Sequence, residues 1–79
     1  MMEPTINEVA NELYRAIDKF PPMTSPHEGY AILKEEVDEL WDEIKKQHHV
    51  RTNEAMKKEA IQVAAMAIRF VIDCCGGQQ

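Results

Sequence analysis

The stretch from Glu59 to Ile72 constrains this chain more than any other. It is apolar except at Glu59, Gln62 and Arg69. On a helix advancing roughly 100° per residue, with Glu59 at zero, Gln62 falls at roughly 300°, Met66 at roughly 340° and Arg69 at roughly 280°. The polar positions therefore share one stripe. The rest of the circumference carries Ile61, Val63, Ala64, Ala65, Ala67, Ile68, Phe70, Val71 and Ile72. A helix that is apolar over most of its surface is buried on several sides. A chain of 79 residues has few other helices to cover it, and monomers this small are marginal. The expectation is a helix–helix interface between subunits, with the alanines allowing close approach.

Start and stop signals divide the rest of the chain. Thr5-Ile6-Asn7-Glu8 has the capping-box pattern and predicts a helix start. Ile6, Val9, Ala10, Leu13, Ile17 and Phe20 follow at helical spacing and mark one buried stripe. Pro21-Pro22 stops that helix. Ser25-Pro26-His27-Glu28 is a second start: a Ser cap, Pro at the first helical position, and Glu three residues after the cap. It predicts a helix from Pro26 to about Gln47, with Tyr30, Leu33, Val37, Leu40, Trp41 and Ile44 on its apolar face. Tyr30 and Trp41 are expected to pack in the core. His48 to Asn53 connects to the third helix, which Thr52 or Asn53 caps and which reaches about Asp73. Gly76-Gly77 ends it, and the tail is expected to fray. Nothing in the sequence repeats or alternates like a strand. The reading is one all-α domain over residues 1–79, core about 5–75, with three helices assembled as a dimer or higher oligomer.

Charge and composition exclude several classes. A net charge of −5 disfavours nonspecific binding to nucleic acid or to an anionic membrane. A bound divalent ion can still invert the local field for a nucleotide. No apolar run is long enough to span a bilayer. Cys74 and Cys75 are adjacent and cannot staple distant segments. With an acidic, amphipathic N-terminal segment, the expected setting is cytoplasmic, with both cysteines as thiols.

The chemistry is expected in four glutamates. Glu35, Glu36 and Glu39 lie in Lys34-Glu35-Glu36-Val37-Asp38-Glu39-Leu40, and Glu59 in Lys58-Glu59-Ala60-Ile61-Gln62-Val63. With Glu35 at zero, Glu39 falls at roughly 40° and Glu36 at roughly 100°, bordering the apolar face one turn apart. Two carboxylates spaced i, i+3 present oxygens on one side, and a facing helix adds more. Mg²⁺ takes such oxygens and bridges to phosphates. Glutamate-rich helices are usually just solvated. Glu59 argues otherwise, because a carboxylate on an apolar helix is costly to bury unless paired or metal-bound. Arg69 is ten residues on, roughly 15 Å along the helix, too far to be its partner. Arg69 with Asp73 reads as an ordinary i, i+4 pair worth a few tenths of a kcal/mol.

The two motifs, Glu35-Glu36-Val37-Asp38-Glu39 and Glu59-Ala60-Ile61-Gln62, resemble the E-E-x-x-E and E-x-x-D signature of the MazG-like, all-α nucleoside triphosphate pyrophosphohydrolases. Ser25-Pro26-His27-Glu28-Gly29-Tyr30-Ala31 and Lys58 to Met66 also look like short bacterial and phage members. The resemblance covers about Pro26 to Asp73. It implies a helical dimer or tetramer, Mg²⁺ (or Mn²⁺) at the paired motifs, and cleavage of a (deoxy)nucleoside triphosphate to monophosphate and pyrophosphate. By position, Glu36, Glu39 and Glu59 would ligate the main metal. Glu35 would serve a second metal or position the attacking water. Gln62 stands where the family has aspartate. An amide oxygen can ligate Mg²⁺ but carries no charge. Three readings follow: a weaker hydrolase, one with a shifted second metal, or a nucleotide-binding protein without turnover. Arg51, Lys57 and Lys58 are candidates for phosphate contact, against solvated charge as the plain alternative. His27 and His48-His49 read as exposed helix-end residues.

Overall fold

A computed structural model describes residues 1–76. It is all-helical: α1 spans Met2–Lys19, α2 Pro26–Ile44 and α3 Asn53–Cys74. The expected fraying of the tail concerns Gly77–Gln79, outside those residues. No helix among the described residues is long and apolar enough to cross a membrane.

Two of the three helix starts follow the sequence signals. Ser25 Oγ accepts from the Glu28 N–H at 3.1 Å, and Thr52 Oγ1 accepts from the Ala55 N–H at 3.1 Å. Glu28 does not close its box on Ser25. Its carboxylate reaches one residue further back, accepting from the Thr24 N–H at 2.7 Å and the Thr24 hydroxyl at 2.9 Å. α1 departs from expectation: it starts at Met2, and Thr5 lies inside it. Pro4 makes this possible. A proline in the first turn gives up only an N–H that has no partner there anyway. At the other end, Phe20 is extended, with φ −124° and ψ 146°, as a residue before proline must be. α2 stops at Ile44 rather than near Gln47. The next stripe positions, Gln47 and His48, are polar and offer no packing to extend it. Arg51 instead donates to the Ile44 carbonyl at 3.3 Å. α3 ends where expected, with Gly76 in the left-handed region at φ 68°.

α3 packs against both other helices, which do not pack on each other. Gly29 meets Phe70, whereas Glu36 meets Gln62, so α2 runs antiparallel to α3. Glu8 meets Lys57 and Ala16 meets Arg69, so α1 runs parallel to it. Leu13, Ala16, Met23, Ala65 and Met66 form a small core, flanked by Val9, Ile32, Leu33, Phe70 and Ile72. The helices pass close together at Gly29. A Cβ there would lie 2.7 Å from the Phe70 ring and 3.1 Å from Met23 Sδ. Glycine is the residue that lets these helices meet.

The polar stripe of α3 faces inward. Glu59, Gln62, Met66, Arg69 and Asp73 are all buried or half-buried, while Ala60, Ala67, Ile68 and Val71 are exposed. α2 repeats the arrangement. Gly29, Leu33, Glu36, Leu40 and Glu43 form its seam with α3, and the next positions round the helix, Tyr30, Val37, Trp41 and Ile44, are exposed. In an antiparallel pair, positions one residue past the seam fall on the same side of both helices. The two exposed apolar stripes therefore form one face, opposite α1. This corrects the expectation that Tyr30 and Trp41 pack in the core: they are 62% and 56% exposed in the protomer. The α1 stripe is likewise only partly used. Leu13 and Ala16 are buried, and Ile6, Ile17 and Phe20 are exposed.

Arg69 is the main correction. It does pair with Asp73, through Nε at 3.0 Å, but it is only 4% exposed. Its Nη1 donates to the Ala16 carbonyl and its Nη2 to the Phe20 carbonyl, each at 2.9 Å. The same Asp73 oxygen accepts from the Met23 N–H at 2.9 Å. One guanidinium thus caps the C-terminus of α1, where a cation is favoured, and one carboxylate holds the linker. This is no ordinary surface pair. Arg69→Leu removes the charge partner of half-buried Asp73 and the guanidinium donors to the Ala16 and Phe20 carbonyls, and is expected to destabilise the fold by about 3 kcal/mol or more. Urea denaturation checks this, and a loss under about 1 kcal/mol, the range of an exposed pair, contradicts it.

Candidate metal centre

The α2–α3 seam places the motif glutamates together. Glu36 and Glu39 project from adjacent turns of α2, and Glu59 faces them from α3. Each offers a carboxylate oxygen within 4.8 Å of the others. Glu36 and Glu59 are half-buried, and Glu39 is exposed. Three carboxylates so close repel one another unless a proton or a cation intervenes. Burial, then Glu39, Glu59 and Glu35, push the Glu36 carboxyl up to about 7. Burial, then Glu39, raises Glu59 too, against the pull of Lys58.

Gln62 completes the group. With the amide turned so that both of its ends are satisfied, its nitrogen donates to Glu36 Oε1 at 2.9 Å and to Glu59 Oε1 at 3.2 Å. A neutral donor here ties two like charges together. An aspartate at this place would add a further negative charge to the cluster. For Gln62 to ligate a cation, the amide must rotate to present its oxygen, giving up both of these hydrogen bonds.

Glu35 is exposed one position before Glu36 and lines a cleft of about 450 Å³ between the end of α1, the linker and α2. Glu36 and Gln62 form part of the same wall. A second cleft, about 460 Å³, lies between α1 and the first half of α3. Lys57 and Lys58 both line it, and Lys57 bonds Glu8 at 3.0 Å. Arg51 lines neither cleft and sits at the C-terminal end of α2. His27, His48 and His49 are exposed.

α1 supplies two residues that the motifs do not announce. Glu12 and Arg15 line both clefts, as does Gln62. Arg15 is bonded twice to Glu12, Nε to Oε1 at 3.0 Å and Nη2 to Oε2 at 2.5 Å. The charge of Glu12, and more weakly that of Glu36, raises the Arg15 pKa further. In the sequence this is an unremarkable i, i+3 pair on a polar face. Only the packing of α1 on α3 turns it toward the glutamates.

The donor set fits a hard divalent cation: three carboxylates from facing helices, with an amide oxygen within reach. Among the described residues, no other group of three acidic, His or Cys side chains converges in this way. Comparison with protein-family models, curated proteins and solved structures finds no match to the chain.

The raised Glu36 pKa has a definite sign in stability. Between its ordinary value of 4.5 and about 7, the folded chain holds a proton that the unfolded chain has released. Stability is therefore full below this window and falls as pH rises through it. Glu28, held low by its bonds from Thr24, acts only at more acidic pH. In a chelator, the urea midpoint is expected to drop from about pH 5 to about pH 8, and Glu36→Gln to flatten that drop. A midpoint that rises over this range contradicts the electrostatics described above.

Proposed function

We infer that the chain is a divalent-metal-dependent nucleotide pyrophosphohydrolase of the MazG-like kind, cleaving a (deoxy)nucleoside triphosphate to monophosphate and pyrophosphate. The observation that carries this reading is the convergence of Glu36, Glu39 and Glu59 within 4.8 Å, from the two motifs whose spacing resembles that family. A Mg²⁺ or Mn²⁺ ion held there would neutralise polyphosphate charge and acidify a bound water.

The chain's own residues supply the rest. Glu36, Glu39 and Glu59 hold the cation, with the Gln62 oxygen in reserve. Glu35, exposed to the cleft beside them, accepts the proton of the attacking water. Oxygen–phosphorus bonding at the α-phosphate then displaces pyrophosphate, whose bridging oxygen keeps the electron pair. Lys58 and Lys57 lie in the neighbouring cleft, where they meet phosphate charge.

With Mg²⁺ or Mn²⁺, the purified protein is expected to release pyrophosphate from at least one triphosphate in a panel of canonical and modified nucleotides. Glu35→Gln is expected to lower kcat by about 10²-fold or more while Mn²⁺ still raises the melting temperature. Glu59→Gln is expected to lose both. A panel left wholly intact removes the hydrolase reading. Gln62 then favours a second one, capture of the nucleotide without cleavage, since its amide engages Glu36 and Glu59 and withholds the charge an aspartate would bring. Calorimetry showing binding with unchanged ligand identifies that case.

The reading includes a homodimer or homotetramer in a reducing cytoplasm. Its support is the exposed apolar face of Tyr30, Val37, Trp41, Ile44 and Val71, the kind of clustered apolar surface that marks interaction sites. The free thiols Cys74 and Cys75 suit the compartment. Light scattering is expected to show an oligomer that Trp41→Glu breaks into monomers; a monomeric parent chain refutes it.

A further inference from the structure

The two clefts differ in a way that gives the substrate a direction. Both touch Gln62, and through it the carboxylate cluster. The α1–α3 cleft has three cations, Arg15, Lys57 and Lys58, balanced by three carboxylates, with Arg15 bonded to Glu12 and Lys57 to Glu8. The α1–linker–α2 cleft has four carboxylates and only two guanidiniums, and one of these, Arg69, is committed to backbone carbonyls and Asp73. Its other walls are apolar, including Phe20, Pro22, Ile32 and Met66. A triphosphate carries several negative charges and a nucleoside carries none. Charge therefore assigns the phosphate chain to the first cleft and the nucleoside to the second.

Arg15 stands where the two clefts meet. Its bonds to Glu12 use Nε and Nη2, and among the described residues its Nη1 has no bonded partner. Glu12 thus fixes a guanidinium that keeps donors for an anion. We propose that Arg15, held by Glu12 at the junction of the two clefts, is the positioning residue that directs the pyrophosphate end of the substrate into the α1–α3 cleft, leaving the nucleoside in the apolar one. This rests on the nucleotide reading above and adds to it a polarity and a role for α1.

The test separates the two ends of the ligand. Melting temperature is followed with Mn²⁺ alone, then with added inorganic pyrophosphate, a nucleoside triphosphate panel, or the matching monophosphates. The parent chain is expected to gain stability from Mn²⁺, and further from pyrophosphate and from at least one triphosphate. Arg15→Ala, a change at an exposed side chain, is expected to keep the Mn²⁺ shift and the monophosphate response and to weaken pyrophosphate binding about tenfold, with Arg15→Lys between. Phe20→Ala, which keeps the carbonyl that Arg69 uses, is expected to do the reverse. If Arg15→Ala binds pyrophosphate as the parent does, or loses both ligands equally, the assignment is overturned while the nucleotide reading stands. If the parent responds to Mn²⁺ but to no phosphate compound, the nucleotide reading falls and the assignment with it.

Discussion

One buried guanidinium organises the fold. The apolar core is too small to dictate how three helices sit, and no large side chain is fully enclosed. Arg69 supplies what the core lacks, which is direction. Its planar fork reaches the Ala16 and Phe20 carbonyls and Asp73 at once, and a planar donor set is satisfied in few geometries. The end of α1, the linker and α3 are thereby fixed relative to one another. Both clefts are bounded by α1, so their shape depends on that anchor.

The seam between α2 and α3 shows why the chain reads inside-out. A globular helix normally turns its polar residues to water. Here the polar stripe of α3 lies within the protomer, and part of its apolar surface lies outside. Glu36 and Glu59 sit where desolvation and mutual repulsion both oppose their charged forms. Such a seam is less stable than an apolar one would be. A structural bundle has no use for that cost, which a cation bound as proposed above would offset. Gln62 moderates it by bonding to both glutamates with a group that adds no charge.

Local rules made much of this legible. The Ser25 and Thr52 caps, the stop at Pro21-Pro22 and the all-helical class follow from side-chain chemistry within a few residues. Glu36, Glu39 and Glu59 were legible because their spacing on consecutive helices specifies convergence. What failed was whatever depends on which face meets which helix. Tyr30 and Trp41 share the apolar side of α2 with Leu33 and Leu40, and periodicity alone does not say which pair turns toward α3. The polar stripe of Arg69 reads equally well as solvated or buried. Arg15 carries no local mark of its position. The start of α1 was misplaced because Thr5-Ile6-Asn7-Glu8 fits a cap, while Pro4 fits a first turn equally well.

Gly29 ties the shape of the seam to its chemistry. A close approach of α2 to α3 lies where Gly29 meets Phe70, seven residues from Glu36, or roughly 10 Å along the helix. The pair behaves as tongs hinged near one end, with acidic tips. A methyl group at Gly29 would meet the Phe70 ring and press on the same seam that brings the Glu36, Glu39 and Glu59 oxygens within 4.8 Å of one another. A position remote from the glutamates thereby bears on their spacing.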